Sequence, residues 1–180
     1  MRKFALLGLA VAATLALPAS AFDGKIDFEG EVSSNTCVIN GGSTAPLKVI
    51  LPKVQVSQLS TAALQATAAH TRFTIGLTGC TGTGNARVFF EANGTNIDYT
   101  ANALKNKDVS AQKATGIGFA IFDEDRTRIQ LGLQGTQGSK TFPITTGAAT
   151  LGYEVAYVKI ASTVTAGKVL GTVEYSIKYD

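Results

Sequence analysis

The chain has 180 residues, of which 45% are apolar and 16% charged, with a net charge of +3. That length and apolar content suit one packed domain, or at most two small ones, and exclude wholesale disorder. Arg2 and Lys3 supply two of the positive charges, so the rest of the chain lacks the clustered basic excess of a nucleic-acid binder; one histidine and two cysteines leave little material for a metal site.

Residues 1–21 read as a secretory signal peptide. Arg2 and Lys3 form a positive start, residues 4–17 an apolar run, and Pro18 breaks it before the small-x-small pattern of Ala19, Ser20 and Ala21. A run of 14 is too short to span a bilayer, which takes about 20 residues. The mature chain is therefore expected to run from Phe22 to Asp180, in an oxidising compartment, with no membrane span.

Residues 22–35 begin with a strict alternation. Phe22, Gly24, Ile26, Phe28, Gly30 and Val32 share one face of a strand, and Asp23, Lys25, Asp27, Glu29 and Glu31 share the other. This stretch precedes Cys37. Pairing within its own sheet and a role outside it are both open on this evidence from the residues alone. Cys37 and Cys80, 43 positions apart, are expected to form one structural disulfide, the default for two cysteines in a secreted chain. No C-x-x-C motif supports redox chemistry.

The rest reads as short strands separated by turn residues: 25–33, 37–40, 47–56, 71–78, 86–92, 115–122, 127–132, 141–145, 152–160 and 168–179. Turn signals lie at Gly41-Gly42, Gly79–Gly84, Asn93-Gly94, Asp123–Asp125 and Gly147. The alanine-rich stretch 57–70 reads as one or two helical turns or a long surface connection. This spacing predicts an all-β antiparallel sandwich with no internal repeat. In the last strand, Gly167, Val169, Gly171, Val173, Tyr175, Ile177 and Tyr179 share one face, and an almost wholly polar set shares the other. No later segment is expected to pair with its free side.

Isolated motifs carry little. His70 is the lone histidine and is expected on a surface or loop. Ser110 and Lys113 match S-x-x-K, but the S-D-N and K-T-G elements that this chemistry needs are missing. Asp123, Glu124 and Asp125 fit a hairpin turn better than a cation loop. Asn93-Gly94-Thr95 reads as a surface turn. No catalytic residue, metal or cofactor is expected.

Taken together, the signal peptide, DGKIDFEGEVSSNTC, FTIGLTGC around Cys80, the GIGFAIFDEDRTRI hairpin and the terminal AGKVLGTVEYSIKYD resemble the chaperone–usher pilins, fimbrial subunits of Gram-negative bacteria of the type 1 and P pilus kind. The resemblance covers essentially the whole mature chain. It implies an incomplete immunoglobulin-like sandwich that lacks its last strand, with a groove that a neighbouring subunit's donor strand fills. It divides the chain into a signal peptide (1–21), a donor extension (22–35) and a pilin domain (36–180). It makes Phe28, Gly30 and Val32 the donor residues facing the groove, with Phe22, Gly24 and Ile26 preceding them on the same face. Ser34 departs from the pattern, being polar where the alternation favours an apolar residue. The alternating set from Gly167 to Tyr179 becomes the groove edge and the chaperone-binding strand.

The implied function is a structural subunit of a surface fimbria, polymerised by donor-strand exchange and supporting adhesion and biofilm formation. The implied partners are a periplasmic chaperone, an outer-membrane usher and neighbouring pilins in a homopolymer, reached by secretion through the periplasm. A minor adaptor, an adhesive pilin or a secreted carbohydrate-binding sandwich is the alternative. A secreted hydrolase is disfavoured because no catalytic constellation is present.

Overall fold

The computed structural model describes residues 36–40, 46–91, 94–133, 135 and 137–180. The expected signal peptide, the donor residues Phe22 to Val32, the strand at 25–33, and Asn93 lie outside them. In chain order the elements are β1 (Val38–Asn40), α1 (Val56–Ser60), β2 (Thr67–Thr78), β3 (Asn85–Glu91), β4 (Ile97–Asp98), β5 (Ala103–Lys105), β6 (Ile117–Asp123), β7 (Phe142–Pro143), β8 (Ala149–Lys159) and β9 (Glu174–Tyr179). They form two antiparallel sheets, a six-stranded one in the order β1-β2-β8-β6-β5-β4 and a three-stranded one in the order β7-β3-β9.

Alternation decides which side chains meet between the sheets. On β3, Ala86, Val88 and Phe90 are buried, whereas Arg87, Phe89 and Glu91 point away from them. They pack against Ile75 and Leu77 of β2, Phe119 and Ile121 of β6, and Leu151 and Tyr153 of β8. The Tyr153 ring stands at the centre, 5.3 Å from Phe90 and 5.8 Å from both Phe73 and Phe142. Its buried hydroxyl accepts the Val88 N–H at 3.1 Å and lies 3.1 Å from the Ser139 hydroxyl. The fold is an immunoglobulin-like β-sandwich.

β6 is buried on both faces. Its even-numbered residues Ala120 and Phe122 face a second apolar cluster with Ala101, Ala103, Ala156 and Val158. This explains the unbroken apolar run IGFAIF, where a half-exposed strand would alternate. α1 caps one end: Leu59 packs with Ala114, Ile117 and Val164, and the buried Lys159 ammonium donates to the carbonyls of Ser60 and Ala62, each at 2.8 Å.

Several sequence expectations change here. The stretch 57–70 divides into the five-residue α1 and the start of β2, where Ala69 (φ +57°) and His70 form a bulge between the pairs Ala68↔Tyr157 and Thr71↔Val155. Residues 46–55 contain no strand. Their alternation is real, with Leu51 against the main core, but Pro46 and Pro52 lack donors and no described segment pairs with them. The expected strand 127–132 is one arm of a tight turn. Asp123 accepts the N–H groups of Asp125 (3.0 Å) and Thr127 (2.8 Å) on its carboxylate, and Ile129 N–H donates to the Ile121 carbonyl at 2.9 Å. The C-terminal strand is assigned only from Glu174, because its first half pairs with a loop.

Candidate functional site

The C-terminal segment is held on one side by two successive partners. In its second half it pairs with β3 from Glu91↔Glu174 to Ala86↔Tyr179. Asn85 and Asp180 exchange both backbone hydrogen bonds, at 3.1 and 3.0 Å. Antiparallel pairs alternate between bonded and non-bonded, so Lys178, Ser176 and Glu174 bond to β3, and the backbone groups of Tyr179, Ile177 and Tyr175 point the other way. Phe90 confirms the phase. Its N–H and C=O turn away from β9 and are both taken by the buried Gln137 side-chain amide, each at 2.9 Å.

In its first half the segment lies on the loop 106–114. Lys168 N–H donates to the Gln112 carbonyl (2.8 Å), the Lys168 carbonyl accepts from Ala114 (2.9 Å), and the Leu170 carbonyl accepts from Lys107 (2.7 Å). The Asn106 side chain completes this set: its carbonyl accepts the Leu170 N–H at 3.0 Å and its amide donates to the Lys168 carbonyl at 2.8 Å. The even-numbered residues again face the support. The backbone phase is thus the same from Lys168 to Lys178, and Val169, Gly171, Val173, Tyr175, Ile177 and Tyr179 present their N–H and C=O groups to the other edge. Among the described residues nothing pairs with that edge.

The same odd-numbered residues turn their side chains inward. Val169, Val173, Tyr175, Ile177 and Tyr179 pack against the main core but remain half-buried, as does Leu51 from the segment 46–55. Gly171 breaks the series for a steric reason: a Cβ there would stand 2.6 Å from the Phe119 ring. Gly167 (φ +153°) starts the segment where a Cβ would stand 2.2 Å from the Gln112 carbonyl oxygen. Among the described residues the site is a strand edge without a partner beside half-buried apolar side chains, the arrangement that accepts another strand.

Other sequence candidates fall elsewhere. Cys37 and Cys80 are joined in a disulfide that ties the start of β1 to the end of β2. His70 is on the bulge of β2, with its ring 3.2 Å from Glu154 and 3.0 Å from the Thr67 hydroxyl. Ser110 and Lys113 form a turn, the Lys113 N–H donating to the Ser110 carbonyl at 3.2 Å. Glu124 and Asp125 share Lys140, each at 2.8 Å, which raises the lysine's pKa. Asn106 and Gln137 were not singled out from the sequence. An amide side chain carries no local sign of which distant backbone it will serve.

The family model of the fimbrial proteins matches residues 26–180. The chain belongs to the fimbrial protein family. The major fimbrial subunit SMF-1 of Stenotrophomonas maltophilia is 33% identical over 91% of this chain and 96% of its own length. The long polar fimbria protein A of Salmonella typhimurium is 30% identical over 98% and 95% respectively. The crystal structure of the P pilus rod subunit PapA shares the fold with a TM-score of 0.57, at 15% identity over 80% of this chain and 99% of that one. As a fimbrial protein the chain is a structural, non-enzymatic subunit that assembles with other pilins into a cell-surface fimbrium. No helix among the described residues is long and apolar enough to cross a membrane.

Proposed function

We propose that this subunit polymerises by donor-strand exchange, with the edge from Val169 to Tyr179 as acceptor and residues 22–35 of a neighbouring copy as donor. The observation that carries this reading is the uniform phase of the C-terminal segment, which puts half-buried apolar side chains and a backbone edge that no described residue pairs with along the same residues. The donor has the matching format: apolar Phe22, Ile26, Phe28 and Val32 alternate with charged residues, and Gly24 and Gly30 share the apolar face. The chain then divides into signal peptide 1–21, donor 22–35 and sandwich 36–180. Before assembly the same edge is covered by a periplasmic chaperone, and an outer-membrane usher passes the subunit to the surface. The fibre is built mainly of this chain and supports adhesion and biofilm formation; the likeness to a major subunit of another bacterium supports that role.

The test is expression of the chain with and without residues 22–35 alongside its chaperone and usher, followed by electron microscopy of the cells. The full chain is expected to give fibres, and the shortened one a chaperone-bound subunit without fibres. Fibres from the shortened chain overturn the reading.

A further inference from the structure

We propose that Asn106 is the positioning residue that extends the acceptor edge beyond the β3 ladder, so that an incoming strand pairs with Val169 and Gly171 as well as with Val173 to Tyr179. The inference rests on the donor-strand reading above and adds to it a residue outside both the donor and the C-terminal segment.

The β3 ladder ends at Glu91↔Glu174. Upstream of Glu174 a strand edge has no sheet behind it, and an unsupported extended segment does not hold its backbone groups in register. The chain meets this with a side chain. A primary amide offers two donor hydrogens and an acceptor oxygen with two lone pairs, and Asn106 uses all of them on backbone groups. Its nitrogen donates to the Lys168 carbonyl at 2.8 Å and the Ala114 carbonyl at 2.9 Å. Its oxygen accepts the Leu170 N–H and the Asp108 N–H, both at 3.0 Å. One residue therefore fixes both sides of the 106–114 turn and two alternate positions of the C-terminal segment. Lys168 and Leu170 face Asn106, so Val169 and Gly171 face the open edge. The span between the two supports, at Thr172 and Val173, lines a small hollow together with Glu91, Leu104 and Lys107. Without Asn106 the segment keeps backbone bonds from Lys107, Gln112 and Ala114, but the turn that aims them loses its internal brace.

The decisive measurement is residue-resolved amide hydrogen exchange on assembled fibres of the wild type and of Asn106→Ala and Asn106→Asp. The aspartate keeps the two accepted bonds and loses the two donated ones. In wild-type fibres the amides of Val169, Gly171, Val173, Tyr175, Ile177 and Tyr179 are expected to be protected. In both variants Val169 and Gly171 are expected to exchange about tenfold faster or more, the loss of one or two rungs, while Tyr175, Ile177 and Tyr179 stay protected. Unchanged protection at Val169 and Gly171 in the variants overturns the role of Asn106 and leaves the donor reading standing. Wild-type fibres with no protection at any odd-numbered residue overturn the donor reading itself, and this proposal with it. If a variant gives no fibres, exchange is read on its mature chain with a synthetic peptide of residues 22–35, and the same selective loss supports the proposal. A variant that fails to fold in that form too makes Asn106 a determinant of the whole fold and overturns its local role.

Discussion

Glu154 lies on the outer face of β8 with its side chain only 3% exposed, and two guanidinium groups and an imidazole meet its carboxylate. Arg72 Nε is 3.0 Å from one oxygen; His70 Nδ1 at 3.2 Å and Arg126 Nε at 3.6 Å approach the other. Burial alone raises a carboxyl pKa, but the Arg72 hydrogen bond leads and holds Glu154 below its ordinary value of 4.5. A carboxyl whose folded pKa is depressed stabilises the fold above its unfolded pKa, and that stability is lost as pH falls through the folded value. The urea midpoint of the mature subunit is therefore expected to fall below about pH 4.5. Glu154→Gln should lower the midpoint at pH 7 and flatten the acid limb. Parallel acid limbs in the two proteins would show that Glu154 is not the group responsible. Gln137 is the neutral counterpart on the core side, an amide that stands in for a strand where β7 has ended.

At the scale of elements, β1 is short and sits at the edge of its sheet, pairing from Val38↔Thr78 to Asn40↔Gly76. The Cys37–Cys80 disulfide and the Thr81 N–H to Thr36 carbonyl bond (2.9 Å) close its end. Cross-linking a loop of this length stabilises the fold by about 4 kcal/mol in the chain-entropy model, a large share of a marginal stability of roughly 5–15 kcal/mol. Cys37→Ser with Cys80→Ser is expected to lower the thermal midpoint of the subunit and its yield in the periplasm. An unchanged midpoint on adding reductant to the wild type, with reduction verified by mass, would overturn this. The disulfide was legible because compartment and cysteine count left one pairing. β3 and β8 were legible because alternation and burial coincide. β4 and β5 were not, since two or three residues carry no period. Residues 47–56 and 168–173 show the opposite limit: their patterns are those of strands, but a ladder needs a neighbour, and periodicity does not say whether one is there. The alternating apolar face of the C-terminal segment was therefore readable in its side chains, whereas its backbone support by Asn106 and β3 was not.

For the whole molecule, the proposed donor-strand exchange would separate folding from assembly, and Gly30 is where the two can be told apart. A groove that admits a strand beside Val169 to Tyr179 is walled by packed side chains, and added volume in such a place forces strain. Gly30 lies seven residues before Cys37 on the apolar face of the proposed donor, with Phe28 and Val32 on either side in the alternation. In the proposed assembly that face enters a neighbouring subunit, while Asp27, Glu29 and Glu31 face solvent. Gly30→Leu is expected to block or slow polymerisation and to leave the chaperone complex at near wild-type yield, because in the proposed assembly residues 22–35 complete a neighbour's sandwich and not their own. Glu29→Gln, on the other face, is expected to polymerise normally. The two readings are fibre formation on the cell surface and periplasmic yield of the chaperone complex, taken from the same cultures. Loss of the complex in Gly30→Leu would place the segment in its own subunit's core and remove the donor role. Normal fibres from Gly30→Leu would mean that Gly30 does not meet a tight groove, and the donor register would shift along the chain while the acceptor edge stayed as described.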